Sequence, residues 1–177
     1  CGVPVRIAHS HSNNMTNDFK KNFKVILQKL YPIYATNYMA CSEDAGRYLF
    51  KNRKFTILNN SIDSEKFIFS KKIRNKVRKE LNLNEKFVVG HVGRFRPEKN
   101  HSFLLDIFLE IKKQKPNAIL LMIGNGDSSQ QIIKKINELS LQDSVILLKN
   151  RNDVNELYQA MDVFIFPSIY EGLGIVA

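Results

Sequence analysis

The most regular hydrophobic pattern lies in the second half of the chain. Four apolar runs recur there, FVVGHV (87–92), AILLMIG (118–124), SVILL (144–148) and DVFIFPS (162–168), separated by helical stretches near 101–114, 129–140 and 153–161. Strands that are apolar at nearly every position must be covered on both faces, and strands alternating with helices of this length predict a parallel sheet. Residues 87–177 therefore read as a doubly wound α/β unit.

The first half is less regular. Val3 to Ala8 predicts a short strand running into a polar loop, His9 to Asn14. Phe19, Phe23, Ile26, Leu27 and Leu30 share one helical face, with Lys20, Lys21, Lys24 and Lys29 mostly off it. Such a basic amphipathic helix either packs on its own domain or lies on an anionic membrane. Tyr38 to Cys41 predicts a buried strand, and Ser42 caps a helix through Phe50, with Glu43 and Asp44 in its first turn. Phe55 to Leu58 is a further strand, ended by the turn signal Asn59-Asn60-Ser61. A charged segment follows to Glu85, with a helix over Ile73 to Leu81.

Composition narrows the class. With 177 residues, 44% hydrophobic and 25% charged, the chain is globular, which excludes a disordered tail, a fibre and a disulfide-stapled miniprotein. No apolar run approaches the roughly 20 residues that span a bilayer. Residue 1 is Cys and no leader follows it, so the chain is expected to be a piece of a longer protein, truncated at both ends. Cys1 and Cys41 form neither a metal-spaced set nor a disulfide framework, and a reducing cytosol is the simplest compartment.

Charge is unevenly placed. The net charge is 27 − 17 = +10; residues 1–86 hold 17 Lys and Arg against 7 Asp and Glu, while residues 87–177 hold 10 of each sign. The whole excess sits in the first half, so anionic partners are expected: phosphorylated small molecules, a membrane surface or nucleic acid.

In an open parallel sheet, ligands bind beyond the carboxyl ends of the strands. Four loops lie there. In GRFRPEKN (93–100), Gly93 permits close backbone approach, while Arg94 and Lys99 place two cations at a helix N-terminus, a pattern suited to a diphosphate. Gly124 and Gly126 punctuate the second loop. The third, Lys149 to Asp153, carries Arg151 and ends on Asp153 as an expected helix cap. The fourth, Pro167 to Gly174, presents Glu171 beside a glycine-rich helix start. Each has a plainer reading as a solvated turn or cap. His91 reads as a hydrogen-bonded core residue, and His101, beside Lys99, as a helix cap, with contact to phosphate the alternative.

GRFRPEKN, IGNGD and RNDVNELYQAMDVFIFPSIYEGLG, in this order and spacing, resemble the second domain of family-4 glycosyltransferases. The resemblance extends through ACSEDAGRYLF, ILNNSIDSEKF and the opening RIAHSHSN, so it covers nearly the whole chain. It implies the α/β GT-B fold: a Rossmann-like doubly wound parallel sheet preceded by part of a first α/β domain. On this reading residues 1–58 end the acceptor-side domain, 59–86 are the linker and a helix leading onward, and 87–177 bind the nucleotide sugar.

The resemblance also implies roles. Arg94, Lys99 and Gly93 hold the donor diphosphate, while Glu171, Gly172, Leu173 and Gly174 face the donor sugar. Gly124, Gly126 and Arg151 lie on the nucleotide side. His9 and His11 are both candidates for the imidazole near the reacting sugar. The implied reaction is retaining transfer of a hexose from a UDP-, GDP- or similar nucleotide sugar to a sugar or lipid-linked acceptor. It needs no cofactor, and no divalent metal is expected, since no Asp-x-Asp triplet occurs. The implied setting is cytoplasmic, with possible peripheral contact on the inner face of an anionic membrane, in bacterial surface polysaccharide or glycolipid synthesis. His9 and His11 on one strand face would make only part of a metal site. The family's usual Asn-Gly turn reads Asn60-Ser61 here. Rival readings are a sugar-nucleotide epimerase of the same fold and a basic nucleic-acid-binding module; no nucleic-acid motif is present, so no nucleic-acid partner is expected.

Overall fold

The computed structural model describes residues 2–11, 27, 30 and 33–171. The expected helix over 18–30 lies outside them apart from Leu27 and Leu30, as do Gly172, Leu173 and Gly174. The chain divides into two compact units, one built on residues up to Ile62, which Tyr170 and Glu171 join, the other on Asp63–Ile169.

The first unit is a three-stranded parallel sheet of β1 (Ile7–Ser10), β2 (Asn37–Ala40) and β3 (Thr56–Ile57), in the order β1-β2-β3. Its helix α1 (Glu43–Phe50) begins as expected: the Ser42 hydroxyl accepts from the Ala45 amide at 3.2 Å, with Glu43 and Asp44 in the first turn. Ala40, Cys41, Ala45 and Phe50 form its small core. Gly46 is required by packing, because a Cβ there would strike the Phe55 ring. His9 and Ser10 lie within β1 rather than in the expected loop, with His9 opposite Met39. Their polarity hid the strand, but Ser10 is buried and its hydroxyl donates to the Ala45 carbonyl at 2.6 Å. Neither Asn60 nor Ser61 takes a positive φ, so the turn there runs without the left-handed residue a glycine would supply.

The second unit is a four-stranded parallel sheet of β4 (Phe87–Val92), β5 (Ala118–Ile123), β6 (Val145–Leu148) and β7 (Val163–Phe164), in the order β6-β5-β4-β7. Its helices are α2 (Lys71–Glu80), α3 (His101–Gln114), α4 (Ser129–Glu138) and α5 (Val154–Gln159). β5 shows why a strand is apolar throughout. Ala118, Leu120 and Met122 pack with Leu104, Phe108, Ile132 and Ile136, while Ile119, Leu121 and Ile123 pack with Val77, Leu83 and Leu157. Helices α3 and α4 thus cover one face, α2 and α5 the other.

At the amino end of this sheet an ionic clamp ties α2 to the start of β7. The Asp162 carboxylate accepts from Arg74, from Arg78 and from the Val88 amide, the last at 2.7 Å. Burial would raise that carboxyl, but the amide and the two guanidiniums outweigh it and hold it below the usual carboxylate range. β7 is shorter than the expected run 162–168, because only Val163 and Phe164 pair with β4 before the chain leaves the ladder.

Candidate active site

Loops at the carboxyl ends of β4, β5 and β6 are stitched together by backbone bonds. Gly93 N donates to Ile123 O at 3.0 Å, Phe95 N to Asn125 O at 3.0 Å, Ser128 N to Phe95 O at 2.9 Å and Gly124 N to Leu148 O at 2.9 Å. Two glycines make the approach possible. A Cβ on Gly124 would fall on the Gly93 carbonyl oxygen, and one on Gly126 would lie 2.5 Å from Phe95 O. The weak Gly-x-Gly signal therefore marks a real steric need. It brings the loop carrying Gly93, Arg94 and Lys99 against the loop carrying Gly124 and Gly126.

The first loop ends in a single turn of 3-10 helix, Pro97–Lys99, and Asn100 then takes a left-handed conformation (φ 55°, ψ 44°) at the start of α3. The Asn100 side chain makes no capping bond to α3, whose N-terminus carries the positive end of the helix dipole. Arg94 is exposed, and among the described residues its guanidinium has no hydrogen bond or ion pair. Lys99 lies with its Nζ 5.1 Å from the centre of the Phe166 ring, and its Cδ lies 3.7 Å from where a Cβ on Gly93 would stand. Phe166 was not legible as a site residue; the only sequence signal was an aromatic near the end of a predicted strand.

Behind the loop sits a buried aromatic cluster. His91 packs edge-on against His101 at 4.9 Å, and Phe95 against His101 at 5.0 Å. His91 is a hydrogen-bonded core residue as expected: its Nδ1 donates to the Ile165 carbonyl at 2.9 Å, since a carbonyl only accepts. His101 departs from the expected cap. It is only 3% exposed, and among the described residues both its ring nitrogens, like His91 Nε2, make no hydrogen bond of ordinary geometry. Burial pushes the His101 imidazole down to about 4, helped by neighbouring His91 and by the charge on Lys99 and opposed in part by the nearby Arg96 backbone. Burial likewise lowers His91, and Lys99 adds to it. Both rings are therefore neutral near pH 7.

Arg151, past β6, grips Asp153 through both guanidinium nitrogens that reach it. That pairing also corrects the expectation for Asp153, which makes no side-chain capping bond at α5 because its carboxylate is held by Arg151. The fourth loop is anchored two residues before Glu171, where Ile169 N donates to Glu98 O at 2.9 Å.

In the first unit, His9 and His11 are ring neighbours, with centroids 4.1 Å apart, and His9 Nε2 is buried without a partner. The structure thus gathers Gly93, Arg94, Lys99, Gly124 and Gly126 on one edge of the four-stranded sheet, and His9 with His11 at the end of β1. Among the described residues no three His, Cys, Asp or Glu side chains converge to hold a metal, and no helix is long and apolar enough to cross a membrane.

Comparison with known proteins puts this geometry in context. The family model described as glycosyl transferases group 1 matches residues 73–177. The chain is 32% identical over 186 residues to the putative glycosyltransferase EpsF of Bacillus subtilis (strain 168), covering 99% of this chain and 48% of EpsF. It is 24% identical over 188 residues to UDP-Gal:alpha-D-GlcNAc-diphosphoundecaprenol alpha-1,3-galactosyltransferase of Escherichia coli, covering 98% of this chain and 48% of that enzyme. The crystal structure of Anabaena HepE in complex with UDP-glucose superposes with a TM-score of 0.82 at 23% identity, over 96% of this chain and 49% of HepE. That likeness shows the fold, α/β with parallel sheets as in GT-B glycosyltransferases. The chain spans about half the length of the relatives it matches.

Proposed function

The chain belongs to the glycosyl transferases group 1 family, and from that premise we propose that the protein moves a hexose from a nucleotide diphosphate sugar to an acceptor hydroxyl, with retention at the anomeric carbon. One observation carries this reading: Arg94 and Lys99 stand beside Gly93 at the carboxyl end of β4, at the start of α3, on a loop fixed by glycine packing. Cations and helix amides in a fixed array stabilise charge that builds on a departing diphosphate, and they need not reorganise as it builds. Arg94 offers a planar fork and Lys99 a point charge steadied over Phe166.

The remaining roles follow the same proposal. Gly124, Gly126 and Arg151 lie on the nucleotide side, Glu171 with Gly172, Leu173 and Gly174 receives the donor sugar, and His9 or His11 stands near the reacting carbon. No cofactor or metal takes part. Residues 1–58 close the acceptor-side domain, 59–86 link, and 87–177 hold the donor. A UDP sugar is supported as donor by the HepE complex, and a lipid-linked acceptor by the Escherichia coli enzyme's name. The protein then works in bacterial surface polysaccharide or glycolipid synthesis, on the cytoplasmic face of a membrane. Residues 1–177 alone should turn over weakly or not at all.

The test is a thermal-shift series with nucleoside diphosphates and nucleotide sugars on the full-length parent, repeated with Arg94→Ala and Lys99→Ala. Loss of the response in both variants is expected. An undiminished response in both ends the diphosphate assignment.

A further inference from the structure

The chain between the 3-10 turn at Ser64–Phe67 and the start of α2 is held by side-chain hydrogen bonds from α5. Gln159 in α5 is buried, and its amide serves both sides of this turn: Oε1 accepts from the Ser70 amide at 3.0 Å, and Nε2 donates to the Ile68 carbonyl at 3.2 Å. Asn155 Nδ2 donates to the Lys66 carbonyl at 3.3 Å, and Phe67 packs edge-on against Tyr158 at 5.9 Å. The backbone is thereby fixed to α5, yet the next two side chains point outward: Ile68 is 68% exposed and Phe69 66%. Adjacent large apolar side chains at that exposure add little to the core, and water disfavours them.

Cations predominate along the chain that follows. Residues 66–79 hold seven Lys and Arg and no Asp or Glu. Arg74 and Arg78 are engaged by Asp162, Lys66 by Asp63 and Lys76 by Glu156, while Lys71, Lys72 and Lys79 are exposed. Lys71 and Lys72 occupy the first turn of α2, which has no acidic residue, so they oppose the helix dipole rather than support it. Their placement helps neither the helix nor the core.

We propose that the Lys66–Lys72 turn is a docking surface for an anionic lipid bilayer, with Ile68 and Phe69 entering the headgroup layer and Lys71 and Lys72 facing acidic headgroups. Apolar tips flanked by cations fit a bilayer, which offers both an anionic surface and an apolar layer beneath it. Nucleic acid would use the cations and leave Ile68 in water. The inference deepens the membrane-face reading given above and rests on it.

The 177-residue chain is floated with vesicles of phosphatidylglycerol mixed into phosphatidylcholine, and with pure phosphatidylcholine. Binding is expected to the mixed vesicles only. It should fall at least about tenfold in the Ile68→Ser, Phe69→Ser double variant and about fivefold for each of Lys71→Ala and Lys72→Ala, with unfolding midpoints unchanged. Equal binding to both vesicle types, or binding undiminished in the double variant, overturns the proposal. If that binding disappears instead in Phe19→Ser, Phe23→Ser, residues 18–30 make the contact; the membrane-face reading then survives and this surface does not. No binding to any vesicle removes both. Arg94→Ala should leave flotation unchanged, which separates this outcome from the diphosphate assignment.

Discussion

The two ends of the four-stranded sheet are built on opposite rules. At the amino end the polar groups are paired: Asp162 takes Arg74, Arg78 and the Val88 amide, Arg78 also reaches the Lys86 and Ala160 carbonyls, and Asn117 donates to Glu85 O. Among the described residues at the carboxyl end, His91 Nε2, both His101 nitrogens and Ser168 Oγ are buried without hydrogen bonds of ordinary geometry, and Arg94 stands unpaired. Buried orphans are rare in native proteins because each costs free energy. Their concentration at one edge supports the donor site proposed there, since open α/β sheets bind ligands beyond the carboxyl ends of their strands.

Substituting Gly124 should break that contrast most severely. In Gly124→Ala the new methyl meets backbone, the Gly93 carbonyl, which cannot swing aside as a side chain could. A loss of about 3 kcal/mol or more in urea unfolding is expected, together with loss of nucleotide response. A cost below about 1 kcal/mol would show that the two loops are not locked together.

Asp162→Ala attacks the opposite end. It leaves two guanidiniums facing each other without their anion, and since the carboxylate is partly exposed the cost should be about 2–3 kcal/mol, below that of a fully buried pair. Nucleotide response should survive. Because the Asp162 carboxyl is held below its unfolded value, its contribution is present above the unfolded pKa and disappears as acid drives the pH through the folded one. Simultaneous loss of nucleotide response would show that the two ends are coupled.

His101 gives a gentler probe. Its folded pKa, about 4, lies below the unfolded value of 6.5, so the unfolded chain takes up a proton first as pH falls. Stability should decline from about pH 6.5 towards pH 4, by about 2 kcal/mol after allowance for solvent screening. His101→Phe, which keeps a ring beside Phe95, should flatten that slope in urea midpoints measured across the range. A slope unchanged by the substitution would assign it elsewhere.

Arg94→Ala should matter least to the fold, within about 0.5 kcal/mol, because the side chain is exposed and unpaired. A clear drop in melting temperature without ligand would contradict that freedom.

Much of the second unit was legible because a burial pattern repeats along it. The run 87–92 and the helix 101–114 stand where the hydrophobic spacing put them, and β5 differs only at Gly124. Where polarity and burial disagree, spacing misled. His9 and Ser10 look like loop residues, yet parallel pairing with β2 and one buried hydroxyl bond hold them in β1. Asp153 and His101 occupy cap positions in the sequence, yet a neighbouring guanidinium claims one and a pair of aromatic rings surrounds the other.

By itself, then, the order of residues determined the local facts: which segments are apolar on both faces, where helices begin, and that Arg94, Lys99 and two close glycines sit at strand ends. Those depend on neighbours within a few positions. The tertiary structure alone decided that the Gly124 backbone touches Gly93, that Phe166 lies under Lys99, and that Gln159 fixes a turn some ninety residues earlier in the chain (|i−j| = 91 to Ile68). The physical reason is that van der Waals exclusion and hydrogen bonding act over a few ångströms of space, and only the folded sheet brings such distant residues within that range.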